Sequence, residues 1–419
     1  MDVPDAIQLM GDKQWQEIKS RLTGKFNKMM KGLFRQKGAQ LDINILASDE
    51  AQEFITTHAG VLDAGFQKVE MSDKMRERLT RSNYIFSGIK TFHELNEAFP
   101  SMLDENGNKK PFERFLNDVR KINDTYNANY LHAEYNFVQA SATMAAKWEQ
   151  FSDDGDRYYL QYRTAKDDKV RPEHAALDGV TLPMSDSFWE TYYPPNGWNC
   201  RCTVVQVRKQ KYPATEHGEA MSRGEEAMNG ERYNIFRFNS GKQGKTMPDY
   251  NPYTIRRCND CDVAKGKLKL SFVPNYQLCQ GCVMVRKCSE DRNRDNSAKA
   301  TKKSPEVKKL QGTTISNPDF NHEVLITGGS IKEWTNQPHK EYAAKNSILK
   351  HIAKVFREAN YIGTIDNFKK KPGVKQSHLF ETDVLGELSW IIVREYEIGE
   401  FVLHSISDSD KIKTGIRKE

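Results

Sequence analysis

The sequence predicts an α+β protein of several domains, and three observations carry that prediction. The chain of 419 residues is too long for one compact core. Helical spacing of apolar residues dominates the N-terminal half, whereas alternating β-type runs occur near the C-terminus. The 7 cysteines fall into two tight groups. We therefore expect a mainly helical N-terminal half with a small β-sheet cap, a zinc ribbon, and a C-terminal domain of a helix plus an antiparallel sheet.

The composition is that of a soluble protein without a membrane span. Apolar residues make up 37% of the chain and charged residues 29%, and no run approaches the roughly 20 apolar residues that a spanning helix needs. Residues 1–10 lack the basic start and apolar core of a secretory signal, so we expect a reducing cytoplasm. The net charge of +6 permits contact with nucleic acid or an acidic partner but requires neither.

The N-terminal half is predicted to be helical. Residues 1–80 show short helical patterns separated by polar joints. Between Pro111 and Phe151 no internal glycine or proline occurs, and apolar residues recur every three or four positions. This spacing predicts one long amphipathic helix with a core-facing stripe. A helix of about 40 residues extends over about 60 Å, a length that suits a protein bridging parts of an assembly.

A change of period marks the end of that helix. The acidic turn Asp153–Asp156 contains Gly155 and is predicted to stop it. The runs Tyr158–Tyr162 and Thr203–Val207 then alternate as strands do. We expect these two strands to pair, so that the segment between them forms a cap at one end of a small sheet.

The cap contains a candidate metal site. His174 and Asp178 lie four residues apart and would share one face of a short helix, which Gly179 can end in the left-handed conformation. Cys200 and Cys202 would point to the same side of the chain. One hypothesis brings His174, Asp178, Cys200 and Cys202 together as a zinc-type site.

Two alternatives remain open for the same residues. The first is a purely structural role. Trp189 and Trp198 would fill a buried core, and the cysteines would pack there as small apolar groups. A nucleophilic Cys–His pair is the least supported, because no orienting third group or oxyanion hole is evident.

Two blocks of the cap, Arg163–Gly179 and Pro194–Cys202, carry a family signal. The first contains the pattern Arg-Thr-Ala-x-Asp-x-x-Val-Arg-x-x-His-Ala-x-Leu-Asp-Gly, and the second reads Pro-Pro-Asn-Gly-Trp-Asn-Cys-Arg-Cys. Together they resemble the signature of the Mu F-like head-morphogenesis family of tailed phages, over a region that we place at 80–210.

That resemblance implies a minor head protein. Such a protein is present in few copies, acts near the portal during capsid assembly, and has phage portal and capsid proteins as partners. It would be made in the bacterial host cytoplasm and end in the virion, with phage DNA as a further partner for some members. Because these proteins are structural, the resemblance implies no catalytic residue. The arginines Arg163, Arg171 and Arg201 are expected to hold the fold or a partner carboxylate.

Changes in composition divide the chain into five predicted segments. They are an N-terminal helical region (1–80), the Mu F-like domain (81–210), a basic segment with the cysteine cluster (211–288), a charged solvated linker (289–317) and the C-terminal α+β domain (318–419).

The second cysteine group predicts a structural zinc site. Cys258 and Cys261 form one Cys-x-x-Cys pair, and Cys279 and Cys282 form another after seventeen residues, a spacing that fits a four-cysteine zinc ribbon. Cys288 would be a spare or substitute ligand. Four thiolates leave no open position, so Zn2+ would act as a structural ion there. Unliganded thiols and a redox pair are the alternatives.

The C-terminal domain raises an enzymatic alternative. A helix over 341–359 precedes three alternating runs, 374–382, 388–394 and 401–406. This order resembles barnase/EndoU/colicin/RelE-like nuclease domains of phages. Metal-independent ribonucleases use an acid and a base that titrate near neutral pH. We predict His339 and His378 as that pair, with Ser405 or Lys340 on the phosphate and host RNA as substrate. The alternative is an inert partner-binding module.

Overall fold

The computed structural model describes residues 12–37, 40–254, 277–367 and 371–417. The chain divides into two compact units, Met1–Ser289 and Glu290–Glu419, called here the N-terminal and C-terminal units. Within the described residues, no helix is long and apolar enough to cross a membrane.

The N-terminal unit begins with a group of packed helices. They are α1 (Asp12–Phe34), α2 (Asp49–Ala64), α3 (Asp73–Ala98), α4 (Phe112–Asp124) and α5 (Leu131–Asp154). Serine side chains start two of them: Ser48 accepts a hydrogen bond from the backbone of Ala51, and Ser72 from that of Met75, which satisfies free amides of the first turn. The apolar stripes of these helices form one continuous core.

The predicted helical structure over 111–151 is confirmed, but it consists of two helices instead of one regular helix. A π-helical turn, Thr125–Asn129, separates α4 from α5. Gly155 follows the last residue of α5 with a φ of +63°, a conformation that glycine adopts without strain. The predicted stop at the acidic turn is therefore confirmed.

A three-stranded antiparallel sheet follows the helices. It consists of β1 (Tyr158–Arg163), β2 (Thr181–Leu182) and β3 (Thr203–Arg208) in the order β2-β1-β3. Tyr162 lies opposite Val204 across the β1–β3 pair, so the predicted pairing of the two runs is confirmed. The cap, residues 164–202, contains the short helices α6 (Pro172–Ala175) and α7 (Phe188–Thr191).

The cap shares the core of the helices. Phe137 of α5 packs edge-on against Trp198 of the cap at 5.2 Å between ring centroids, and Phe236 contacts both rings. Beyond the sheet come α8 (His217–Ala227) and α9 (Ser240–Gln243). The cap is therefore one face of a larger packed body.

Helix α10 (Gln277–Lys303) contains part of the predicted ribbon. Cys279 and Cys282 lie in its first two turns, and Cys282 is buried and accepts a hydrogen bond from Arg286 Nε at 3.3 Å. Cys258, Cys261 and the hairpin predicted between the two pairs lie outside the described residues. The zinc ribbon is not confirmed. The charged segment predicted as a linker continues α10 to Lys303 and then forms α11 (Pro305–Lys309).

The C-terminal unit is a six-stranded sheet with helices. Its strands are β4 (Thr314–Asn317), β5 (Phe320–Leu325), β6 (Asn360–Asp366), β7 (Val374–Val384), β8 (Glu387–Tyr396) and β9 (Phe401–Ser407), in the order β4-β5-β9-β8-β7-β6. Its helices are α12 (Gly328–Asn336), α13 (Tyr342–Ile348) and α14 (Ile352–Glu358). The predicted helical region and the three-strand meander are confirmed, whereas β4, β5, β6 and α12 were not predicted.

One face of this sheet carries the core of the C-terminal unit. Phe380 and Ile391 are fully buried there, and Phe356 of α14 packs on Phe380 at 4.6 Å between ring centroids. Strands β5 and β9 are parallel, and the other neighbouring strands are antiparallel. The described fold is thus mixed α/β, helical in the N-terminal part with a sheet at the C-terminal end.

Candidate functional site

The cap positions His174 through a short, tightly closed turn. Pro172 stands in the first turn of α6, where the missing N–H is not needed. Gly179 has a φ of +83° and donates its N–H to Tyr162 O of β1 at 2.9 Å. His174 is thereby fixed beside the sheet, with 2% of its surface exposed.

A second loop brings the cysteines to the same place. Asn199 adopts a left-handed φ of +58°, which turns the chain between Trp198 and Cys200. Arg171 donates to Trp198 O at 2.6 Å, and Asn136 of α5 donates to Asn199 Oδ1 at 3.0 Å. These contacts tie the second family block to the first block and to the long helix.

His174, Cys200 and Cys202 form the His174 cluster. Each cysteine Sγ lies 3.7 Å from His174 Nδ1, and the three ligand atoms all lie within 4.8 Å of one another. In a tetrahedral zinc site with Zn–N near 2.0 Å and Zn–S near 2.3 Å, nitrogen and sulfur are about 3.5 Å apart. The cluster therefore has the donor types and spacing to hold a metal ion.

Asp178 does not join the cluster. Its Oδ1 accepts hydrogen bonds from the backbone N–H of Thr164 at 2.8 Å and from Thr164 Oγ1 at 3.1 Å. Lys166 Nζ lies 3.6 Å from its other oxygen. The structure thus brings together three of the four residues predicted for this site, and Asp178 closes the cap loop onto the end of β1.

The pKa values of the two cysteines are shifted in opposite directions. The hydrogen bond with Cys202, followed by that with His174, holds the pKa of Cys200 well below its usual value. The same hydrogen bond, together with burial, raises the pKa of Cys202. One sulfur is thus favoured as a thiolate beside the imidazole, and a thiolate is the form that binds metal. His174 Nε2 is buried with no hydrogen-bond partner among the described residues.

A small open pocket leads to the cluster. Lys169, Arg171 and Arg201 contribute to its lining together with His174, Cys200 and Cys202. Arg201 forms a bidentate ion pair with Asp167, with its two Nη atoms 2.5 and 2.6 Å from the two carboxylate oxygens. The approach to the cluster is therefore lined with positive charge.

The predicted acid/base histidines of the C-terminal unit have separate partners. His339 Nε2 lies 2.9 Å from Ser389 Oγ, whereas His378 lies 3.1 Å from both the Tyr361 hydroxyl and Glu395 Oε2. Ser389 pairs with Thr382, four residues along β7 from His378. Four strand residues correspond to about 13 Å. The structure does not bring the two histidines together, and their catalytic role stays a prediction.

The other two predicted residues also lie apart. Ser405 is buried and lies opposite Ile392, which in turn lies opposite Leu379, so Ser405 belongs to the sheet face away from His378. Lys340 forms an exposed ion pair with Glu387. Ser405 and Lys340 therefore do not form a phosphate-binding site beside His378.

A buried ionic cluster in the helical bundle escaped prediction. Lys90 Nζ lies 2.6 Å from Glu134 Oε2 and 3.1 Å from His58 Nε2, and Tyr253 donates its hydroxyl proton to Glu134. Burial opposes ionisation of Glu134, but the positive charge of Lys90 prevails and lowers its pKa to about 2. Burial lowers the pKa of His58 to about 4. The positions of Lys90, Glu134 and His58 in the sequence do not differ from those of exposed charged residues on a helix, so the sequence pattern did not predict their burial.

Burial also raises the pKa of Glu94, a carboxyl close to this ionic cluster, to about 8. Asn127 donates a hydrogen bond to one Glu94 oxygen at 3.2 Å. The bundle core thus holds one ionised and one neutral carboxyl near neutral pH.

Comparisons with known proteins agree with the signal in the cap. Residues 106–205 match the family described as Phage Mu protein F like protein. The chain is 32% identical over 177 residues to the putative capsid assembly protein F of Escherichia phage Mu. It is 33% identical over 102 residues to the Mu-like prophage FluMu F protein of Haemophilus influenzae. The predicted resemblance to Mu F-like proteins is therefore confirmed.

These similarities cover part of each protein. The first spans 41% of this chain and 38% of the phage Mu protein, and the second 24% of this chain and 22% of the Haemophilus protein. Residues 292–403 match a different family, Large polyvalent protein-associated domain 3. No solved structure matches the chain.

Proposed function

We propose that this chain is a minor head protein of a tailed phage and acts in capsid assembly near the portal. The observation that carries the proposal is the match of residues 106–205 to the Phage Mu protein F like family. The similar protein of phage Mu is described as a putative capsid assembly protein. The partners are portal and capsid proteins, and the place of action is the phage head.

The core that the matched segment shares with the rest of the N-terminal unit supports a binding role. It runs from the turn before α4 through α5 and the three-stranded sheet, and it shares its core with α1, α2 and α3. The surface that it offers is therefore held rigidly by the whole N-terminal unit. A rigid surface loses little conformational entropy on docking, which suits a component recruited once into a growing shell.

The test uses the phage or prophage that encodes this chain. Deleting its coding sequence is expected to prevent the formation of DNA-filled heads, and supplying the full chain from a plasmid is expected to restore them. Electron microscopy of the lysate and mass spectrometry of purified particles give the readout. Normal, infectious heads that contain none of this polypeptide would refute the proposal.

We also propose zinc as the metal of the chain. The His174 cluster has the ligand types and spacing for it, and a ribbon formed by Cys258, Cys261, Cys279 and Cys282 is a second proposal that rests on sequence spacing alone. Metal analysis separates them. A Cys200→Ser/Cys202→Ser variant removes zinc from the cap site, and a Cys258→Ser/Cys261→Ser variant removes it from the ribbon.

A second function is proposed for the C-terminal unit. It forms a compact unit by itself, and His378 is held between Tyr361 and Glu395 on the sheet, so a titratable group with an oriented ring is present. We propose that this unit is a metal-independent ribonuclease in which His378 is one of the acid/base groups. Full-length protein should cleave tRNA, and a His378→Ala variant should not, whereas a His339→Ala variant tests whether the second predicted histidine takes part. Intact RNA with the parent protein across a range of pH would exclude the activity.

A further inference from the structure

The His174 cluster supplies three ligand atoms, whereas a tetrahedral ion has four positions. Within the described residues, no fourth His, Cys, Asp or Glu atom joins His174 Nδ1 and the two sulfurs. Asp178, the fourth residue predicted from sequence, is held by Thr164 through two hydrogen bonds. Across residues 12–37, 40–254, 277–367 and 371–417, the chain thus provides one ligand fewer than a closed structural site requires.

The side of the cluster that faces the pocket is accessible. All three cluster residues contribute to the pocket lining, yet His174, Cys200 and Cys202 are only 2%, 5% and 9% exposed. A ligand of a few atoms can therefore reach the metal position, whereas a bulky one cannot. Three protein ligands and one open position are typical of zinc sites that keep a solvent ligand.

The charge of the pocket selects the kind of ligand. Lys169, Arg171 and Arg201 lie around the opening. Asp167 offsets the charge of Arg201 through their ion pair, and Arg171 is fixed by Trp198 O at 2.6 Å. Asp168 offsets a further part of that charge, but Lys169, Arg171 and Arg201 are the charged side chains that line the opening itself. Such a rim favours a small anion over a neutral molecule.

We infer that the His174 cluster binds one zinc ion whose fourth position is exchangeable and takes water or a small anion from the pocket. This inference rests on the proposed zinc site in the cap and is independent of the role in head assembly. The zinc ion links α6 to the loop before β3, so it also joins the two family blocks. The fourth position is the part of the ion that a ligand from outside the chain can reach.

Cobalt is the probe for this site because its visible absorption reports ligand number and ligand exchange. The full chain is prepared as a Cys258→Ser/Cys261→Ser variant, so that a four-cysteine ribbon cannot contribute a second ion. After removal of metal, one equivalent of Co2+ is expected to bind and give the intense absorption of a tetrahedral thiolate site. Titration with azide, and separately with acetate, is expected to change that spectrum in a saturable way.

Two lysines provide a matched comparison. Lys169 lines the pocket, whereas Lys166 is directed to Asp178 on the same loop. A Lys169→Ala variant is expected to weaken azide binding several-fold while the cobalt content stays the same. A Lys166→Ala variant is expected to bind azide as the parent does.

Two results would overturn the inference. If the parent chain is folded by circular dichroism and binds no cobalt or zinc, the cap holds no metal site. If cobalt binds but neither anion changes its spectrum, the fourth position is filled by the protein itself. Loss of cobalt in a folded Cys202→Ser variant supports the assignment of the ligands. None of these results depends on whether phage heads form, so a failed assembly experiment is distinguishable.

Discussion

The cap of the N-terminal unit and the sheet of the C-terminal unit both hold buried histidines, but they arrange the neighbours of those histidines differently. In the cap, two irregular loops bring His174 and two cysteines within 4.8 Å of one another. In the C-terminal unit, His339 of the loop between α12 and α13 contacts the Ser389 hydroxyl, and His378 of β7 contacts the Tyr361 hydroxyl. Positive φ angles at Asn199 and Gly179 make the first arrangement accessible.

The difference teaches how side chains of separate chain segments converge. A strand fixes its side chains at intervals of about 6.6 Å along one face. His378 and Thr382, the β7 residue opposite Ser389, are therefore kept about 13 Å apart. Loops with left-handed turns are free of that constraint. The cap is therefore the region where potential ligand atoms of separate segments converge, and the sheet is the region where polar groups are held apart from one another.

The largest expected effect comes from the buried ionic cluster of Lys90, Glu134 and His58 in the helical bundle, outside both the cap and the C-terminal sheet. Lys90→Met leaves the Glu134 carboxylate buried without its main cationic partner, and removal of one partner of a buried pair typically costs about 3–5 kcal/mol. The free energy of unfolding of the N-terminal unit is expected to fall by that amount, with the C-terminal unit unaffected. Chemical denaturation followed by the fluorescence of each unit gives the measurement.

Its control is an exposed ion pair. Lys209 Nζ lies 3.1 Å from Asp156 Oδ1, and the Asp156 side chain is 86% exposed. Lys209→Met is expected to cost less than about 1 kcal/mol. Equal losses in the two variants would contradict the view that Lys90 and Glu134 stabilise the bundle as a desolvated pair.

A pair of tryptophans compares the cap with the sheet directly. Trp189 of the cap donates its indole N–H to Pro183 O at 3.0 Å, whereas the buried indole nitrogen of Trp390 in β8 has no partner among the described residues. Trp189→Phe leaves a carbonyl unsatisfied, which costs about 1–3 kcal/mol beyond the lost packing. Trp390→Phe loses packing but removes an unsatisfied donor.

We therefore expect the N-terminal unit to lose more stability in Trp189→Phe than the C-terminal unit loses in Trp390→Phe. Thermal unfolding monitored by near-ultraviolet circular dichroism measures both variants against the parent. A larger loss in the sheet variant would show that side-chain volume outweighs hydrogen bonding at these two positions.

The elements that the sequence predicted correctly have a strong local period. The β1 and β3 runs alternate between clear breakers, and the apolar stripe of α4 and α5 recurs at helical steps. The second half of helix α10 lacks such a stripe, because it is almost wholly polar and charged, and the sequence pattern there predicts a linker instead of a helix. In that half Ala298 and Thr301 are buried, as is Ser289 at its start, so the helix packs through small and polar residues that show no apolar period.

The candidate site was predicted in part for a similar reason. The donor types and spacing indicated His174, Cys200 and Cys202, but the local hydrogen bonds that direct Asp178 to Thr164 depend on the turn geometry. In the C-terminal unit, the meander of β7, β8 and β9 follows from short-range alternation. The parallel pairing of β5 with β9 joins distant segments, and no local pattern specifies it.

The smallest expected effect concerns the pH dependence of the C-terminal unit. Burial raises the pKa of Glu395, but hydrogen bonds from Lys375, Gln376 and His378 outweigh it and lower the pKa to about 2. A carboxyl with a depressed pKa in the folded state stabilises the fold above its unfolded pKa of about 4.5. That stabilisation is lost as the pH falls from about 4.5 towards 2.

Glu395→Gln removes this dependence and so tests whether the sheet holds His378 through a charge. The unfolding midpoint of the C-terminal unit is expected to fall less steeply with decreasing pH in the variant than in the parent. Glu400→Gln, which replaces an exposed carboxyl next to β9, is expected to keep the parental slope. If Glu395→Gln also keeps the parental slope, the carboxylate charge does not stabilise the sheet.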